Sequence, residues 1–447
     1  MVARRGLVTT PRRLVLALLA VVAAASAVAS AADEPAAPAA DAPAAPAPTP
    51  PAVAAPPEAV TIADVLRALR EESPRLAVER PQVDAARADL VTARLLPNPT
   101  LEYQGGTLLD GANLNGAVQH QATVAEPLPI TGARSARIDA AEKHVDAAEQ
   151  HVRARYVELA LEARKLFVDL LAAEERARVL EEARRDVAQL RDIVAGRERA
   201  GMARQYDGLR AATEAELMEA KAADARAEAL DKSGELGRLL GLPAWHPRAV
   251  GDLQPLGAKV DAVADPHVME ESLPALAVAK SEEAAAAADV KVAERERWPL
   301  PVLTLGAVQT HQAASTSFLG GLSIEVPLFD RGQGKVARSL AEADQASATR
   351  RVTVAEADAE LGRASRLLRE RRAALAAFDR EVVDHLPALR RMAEDAYRTG
   401  QGGIVELLDA TQARTEAELA GVDLVTSVMQ AEVDVLGAAG TVDSILP

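Results

Sequence analysis

The sequence predicts a mainly α-helical protein with a small β part, built as two tandem repeats. Three observations carry this: an internal repeat at a near-constant offset, apolar positions recurring every seven residues over very long stretches, and short period-two runs flanked by prolines. Each repeat reads as long coiled-coil helices plus a two-stranded hairpin, so one chain offers four strands. Aromatic residues make up only 2% of the chain, and Ala and Leu with abundant Glu and Arg describe packed long helices.

The first 31 residues read as a secretory signal peptide. Arg4, Arg5, Arg12 and Arg13 form a charged start, an apolar stretch runs from Leu14 to Ala25, and Ala29-Ser30-Ala31 supplies small residues for cleavage. The apolar run is too short and alanine-rich for a membrane anchor. Residues 32–58 follow as a Pro/Ala-rich tether without periodicity. The chain has no cysteine, so neither disulfides nor lipid attachment at a cysteine is expected. Its formal charge is −15; residues 1–31 hold four arginines and no acids, so their removal takes it to −19. That balance argues against nucleic-acid binding.

Two repeats follow, at 59–250 and 265–440. Pro127-Leu128 returns as Pro327-Leu328, and Arg199-Ala200-Gly201 and Leu209 return as Arg398-Thr399-Gly400 and Leu408. Each repeat opens with a helix, at about 62–95 and 268–297, that stops at a proline pair, Pro97/Pro99 or Pro299/Pro301. Strands are expected within about 99–127 and 301–327. Val302–Val308 is the clearest run, Leu322–Val326 alternates apolar and polar residues, and Gly320-Gly321 reads as a hairpin feature. Very long helices are then expected at about 133–197 and 333–397. Val145, Val152, Leu159, Leu166, Ala173, Leu180, Val187 and Val194 lie seven apart in the first, and Val354, Leu361, Leu368, Leu375, Val382 and Leu389 in the second. Pro387 should kink or break the second. Glycine turns reverse the chain, and return helices cover about 204–240 and 404–438.

Four strands cannot close a barrel, and an open sheet edge is not tolerated in lipid. Three chains would pool twelve strands into a barrel, and their helices would continue it as an α-helical barrel. Over essentially all of 60–440 the chain resembles the TolC-like outer-membrane efflux family. The carriers are the repeat, Leu96-Pro97-Asn98-Pro99-Thr100-Leu101, Pro127-Leu128-Pro129-Ile130, and Tyr397 through Gly400 with Glu406-Leu407-Leu408-Asp409-Ala410. Val326-Pro327-Leu328-Phe329-Asp330-Arg331-Gly332-Gln333-Gly334 is similar to the heavy-metal (CzcC-type) branch. The resemblance implies a homotrimer in outer-membrane lipid, working with a periplasmic membrane-fusion adaptor and an inner-membrane resistance-nodulation-division pump. It implies passive conduction of cargo, heavy-metal cations first, drugs or other small molecules second.

The resemblance also places Gly201 and Gly400 at helix tips that meet the adaptor, and Asp207, Tyr397, Glu406 and Asp409 at the inner mouth as a gate or acidic ring. Gly402 stands where the family's best-known gate has a latch arginine. Lone acids at such positions are ordinarily solvated charges. His144 and His151 lie seven apart, too far for one ion, and His120 and His311 are not repeat-equivalent, so no metal site and no cofactor is expected. No nucleophile elbow, phosphate loop or metalloprotease motif is present, so an enzyme is not expected. The competing reading is a periplasmic coiled-coil scaffold or adaptor.

Overall fold

The computed structural model describes residues 58–107, 118–257, 260, 273–310, 315–399 and 403–440. It begins with a two-residue strand β1 (Ala59–Val60) and helix α1 (Ile62–Glu72). Thr61 caps that helix: its hydroxyl accepts from the Asp64 N–H at 3.3 Å while the Asp64 carboxylate accepts from the Thr61 N–H at 3.1 Å.

The single helix expected over 62–95 is instead three: α1, then α2 (Pro74–Ala77) and α3 (Arg80–Arg94). Pro74 forces Ser73 to an extended φ −66°, ψ 120°, and both later helices carry a proline in their first turn. A missing N–H is harmless there and disruptive anywhere deeper.

Strands β2 (Thr100–Thr107) and β3 (Val118–Pro127) follow, then α4 (Ala133–Arg199) and α5 (Gln205–Leu240). After a short strand β4 (Arg248–Ala249), which pairs in parallel with β1, the second repeat runs α6 (Pro274–Glu296), β5 (Val302–Thr310) and β6 (Ser315–Ser323). It continues as α7 (Gln333–Glu381), a 3-10 turn over Val383–His385, α8 (Leu386–Thr399) and α9 (Ile404–Ala439). Leu322 and Ser323 belong to β6, but Ile324–Val326 lie beyond its end, and Gly320 and Gly321 sit inside the strand opposite Leu305 and Thr304. Alternation alone did not locate the last hydrogen-bonded pair.

At 67 residues α4 spans about 100 Å, at roughly 1.5 Å per residue. Its counterpart expected over 333–397 is interrupted at Val382, shortly before Pro387, whose ring cannot follow an α-helical turn. The repeats share a plan at their ends: Gly132 and Gly332 precede α4 and α7 with φ 77° and 70°, and the 36-residue helices α5 and α9 end on Gly241 and Gly440 with φ 79° and 70°.

The heptad stripe is buried along much of its length, while Leu389, its last position beyond the break, is exposed. Leu159, Ala173, Leu180, Val187 and Val194 are buried in α4, as are Leu361 and Leu368 in α7. Three apolar clusters result. One joins α1, α4 and α5 through Leu69, Leu170 and Leu236. A second joins α6, α7 and α9 through Leu276, Leu368 and Leu436. The third packs the start of α9 onto α4 and α5. No described helix is long and apolar enough to cross a membrane.

Candidate functional site

The strands form one antiparallel sheet in the order β2-β3-β5-β6, so the repeats meet where β3 pairs with β5. Residues directly opposite in register point to the same face. Leu101, Val124 and Leu305 make one row, Tyr103, Ala122, Ala307 and Phe318 the next, and Leu303 pairs with Leu322. The polar residues on that face lie towards its ends, Glu126 at the helix-proximal end and His120, Gln309 and Thr316 among those at the far end. The opposite face carries Thr100, Glu102, Gln104, Gln119, Gln121, Thr123, Thr304 and Ser317, with Val308 and Leu319 among them. On the apolar face Phe318 is 87% exposed and Tyr103 63%, so the described part of the chain leaves them largely uncovered. The outer long edges of β2 and β6 carry no partner strand among the described residues. Alternation of an apolar with a polar face is the pattern of strands in membrane barrels.

At the far end of the helices, α4 closes with two bonds. The Gly201 N–H donates to the Glu198 carbonyl at 2.9 Å and the Met202 N–H to the Arg197 carbonyl at 2.8 Å. This ending needs the left-handed φ of 74° found at Gly201, while no atom lies within 4 Å of where a Cβ would sit. The turn therefore requires glycine for its backbone, and its surroundings are open. Met202, Tyr206 and Leu209 around it are all more than 60% exposed.

Asp207 and Glu406 prove to be equivalent. Each is the third residue of its return helix. The Asp207 carboxylate accepts from the Arg204 N–H at 3.3 Å, and the Glu406 carboxylate accepts from the Gly403 N–H at 2.8 Å. Each satisfies an orphan donor at a helix N-terminus, where the helix dipole favours negative charge. Asp409, one turn on, is exposed. Tyr397 lies on α8, two residues before its end. Gly400 and Gly402 lie outside the described residues, as does His311. The two tips differ in packing: Leu408 is buried with Ile404 and Leu407 against Val194, Ala211 and Met218, whereas its repeat partner Leu209 faces outward.

Sequence reasoning missed the polar contacts between helices. His144 Nε2 lies 2.9 Å from an Asp289 oxygen and His151 Nε2 2.8 Å from a Glu282 oxygen, so both histidines tie α4 to α6. Their seven-residue spacing is the register of that seam, a signal readable only once the partner helix is known. Arg176 joins Asp423 at 2.7 Å and Glu228 at 3.2 Å, and Glu214, buried in the tip cluster, accepts from Gln412. Among the described residues no group of three or more His, Asp or Glu side chains is placed to hold a metal ion.

Comparison with known proteins agrees with this geometry. The chain is 24% identical to the cobalt-zinc-cadmium resistance protein CzcC of Cupriavidus metallidurans, over 82% of this chain and 84% of that one. It is 27% identical to the nickel-cobalt-cadmium resistance protein NccC of Alcaligenes xylosoxydans xylosoxydans, over 67% and 70%. Its fold superposes on the outer-membrane channel OprN with a TM-score of 0.70 at 21% identity, covering 85% of this chain and 89% of that one. The pattern of the family described as outer membrane efflux protein matches residues 65–242 and again 266–441. Matched in both halves and across most of its length, the chain belongs to the outer membrane efflux protein family.

Proposed function

We propose that three copies of this chain pool their sheets and helices into a duct that conducts heavy-metal cations passively out of the periplasm. The two-faced sheet with two free edges carries the reading, because neither its apolar face nor its edges can be satisfied by one chain in water or in lipid. The cobalt, zinc, nickel and cadmium in the names of CzcC and NccC support the cargo. In this reading residues 1–31 direct export and 32–58 tether the folded part. No chemistry is performed; an inner-membrane proton-driven pump and a periplasmic adaptor deliver the cargo. The turns at Gly201 and Gly400 meet the adaptor, where Met202, Tyr206 and Leu209 offer exposed apolar surface. Asp207, Glu406 and Asp409, with Tyr397 near them in sequence, line the inner mouth, and threefold symmetry turns each acid into a ring that favours cations.

Native mass measurement of the detergent-extracted protein should give three chains, and deleting the gene should lower tolerance to cobalt, zinc or cadmium. A monodisperse monomer with folded strands would overturn the duct. Trimers whose loss changes drug tolerance but not metal tolerance would overturn the cargo alone.

A further inference from the structure

Arg164 has no counterpart in the duct reading. It sits in the middle of α4 and is only 8% exposed. Its Nη1 is fully buried without a hydrogen-bond partner, and among the described residues no carboxylate forms an ion pair with it. Burial pushes its pKa down, with no opposing charge at work. A guanidinium does not give up its proton in a protein, so the charge persists and its lost hydration must be made good by something else.

Arg164 lines a cleft of about 200 Å3 bordered by α4, α9 and the connection that joins the two repeats. Phe167, Leu171, Val250, Met429 and Val433 make its walls apolar. Two acids also line it. Glu432 is already satisfied: it pairs with Arg372 at 2.8 Å and accepts from the Leu256 and Gly257 N–H groups at 2.6 and 3.0 Å. Asp252 is exposed on the connection itself. The cleft thus presents one uncompensated positive charge, a mainly apolar surface, and acids that would repel a second negative charge. It is smaller than the roughly 300–1,000 Å3 of pockets for drug-sized ligands.

We propose that this cleft binds a small monocarboxylate with an apolar body, its carboxylate on the Arg164 guanidinium and its body against Phe167 and Met429. A guanidinium takes a carboxylate in a two-pronged hydrogen bond, and displacement of water from the apolar walls favours a body over a bare anion. Because α4, α9 and the connection all border the cleft, a bound molecule clamps the two repeats together.

The test uses the full chain in nonionic detergent, with hexanoate as probe and thermal unfolding and calorimetry as readouts. Hexanoate should raise Tm. Hexylammonium, with the same tail and opposite charge, should not, and inorganic phosphate should bind at least tenfold more weakly than hexanoate. Arg164→Met should weaken hexanoate at least tenfold while leaving the ligand-free Tm unchanged or higher, since a buried charge has been removed. Arg164→Lys should retain part of the affinity and shows that the site, not the fold, is read. The proposal is overturned if hexanoate has no effect, if phosphate matches it, or if Arg164→Met binds it as before. It is equally overturned if Arg164→Met lowers the ligand-free Tm and dissociates the oligomer, because a carboxylate of a neighbouring chain then holds the guanidinium.

Discussion

At Gly201 the backbone alone fixes the residue. Valine there must adopt a left-handed conformation at a cost of about 1–2 kcal/mol, with no clash to add to it, since the space beside the Cα is open. Gly201→Val should still give folded oligomers in the outer membrane but lose export; unchanged metal tolerance would remove this turn from the adaptor contact. Glu406 shows how a capping role and a mouth role can be separated. Glutamine at the third helical position also accepts from the capping N–H, so Glu406→Gln with Asp409→Asn removes charge and keeps the cap. Single-channel recordings of that double variant should show reduced cation preference, with the same change at Glu381, away from the tip, as the control; equal effects would return both acids to ordinary surface charge. Glu181 supplies a pH prediction. Arg184 hydrogen-bonds its carboxylate, with Arg185 beside it, and holds its pKa at about 2 against an ordinary 4.5. A depressed pKa stabilises the fold above the unfolded value and loses that contribution as pH falls through the folded one. The Tm gap between the native chain and Glu181→Gln should therefore narrow from about pH 5 towards about 2, and a pH-independent gap would exclude the ion pair as its cause. The reach-back bonds of Asp207 and Glu406 were within reach of the sequence, since an acid at the third position of a helix is a standard capping signal. Arg164 was not, because an arginine reads as solvated until its neighbours are known.

Among the elements, the sheet carries the sharpest expectation. Phe318 and Ser317 are neighbours in β6 on opposite faces. Phe318→Arg puts a charge on the apolar face and should cost about 2–4 kcal/mol if that face meets mid-membrane lipid; Ser317→Arg should be tolerated. Folding yield into lipid vesicles measures both, and equal yields would mean that the face does not meet lipid. Strand existence was legible from proline flanks and alternation, but the end of β6 was not, since Ile324–Val326 keeps the alternation after the pairing stops. The long helices were legible for a different reason. A seven-residue stripe such as Ala173, Leu180 and Val187 would be costly to leave in water, so the pattern itself demands a partner helix, and all three are buried. The break after Glu381 was signalled by Pro387, and the breaks around Ser73 and Arg80 were signalled by Pro74 and Pro81, prolines that the apolar spacing of 62–95 overrode.

For the whole molecule the connection between the repeats is the joint that matters. Glu432 is 1% exposed and holds that connection through two backbone N–H groups while pairing with Arg372. Glu432→Ala leaves the Leu256 and Gly257 N–H groups unmatched and removes the carboxylate partner of Arg372, which keeps its bond to the Gly257 carbonyl at 2.9 Å, and should cost about 1–3 kcal/mol for each buried group left unsatisfied. Denaturant unfolding should then split into two transitions, one for each repeat; a single, merely shifted transition would mean that the repeats are coupled elsewhere. The overall plan was legible because duplication wrote it twice, and the left-handed glycines before α4 and α7 repeat it at the level of φ. The unequal burial of Leu209 and Leu408 was not legible, since the two sequences match where the two environments differ. The open edges of β2 and β6 have a last consequence, in genetics. In the proposed trimer every subunit lends strands to one wall with no spare sector, so one faulty copy spoils the ring it joins. With variant and normal chains made in equal amounts and mixed at random in a threefold ring, only about one ring in eight is wholly normal. A lesion on the strands should therefore behave as dominant over a normal copy of the gene, whereas a lesion that keeps the chain from being exported should be recessive.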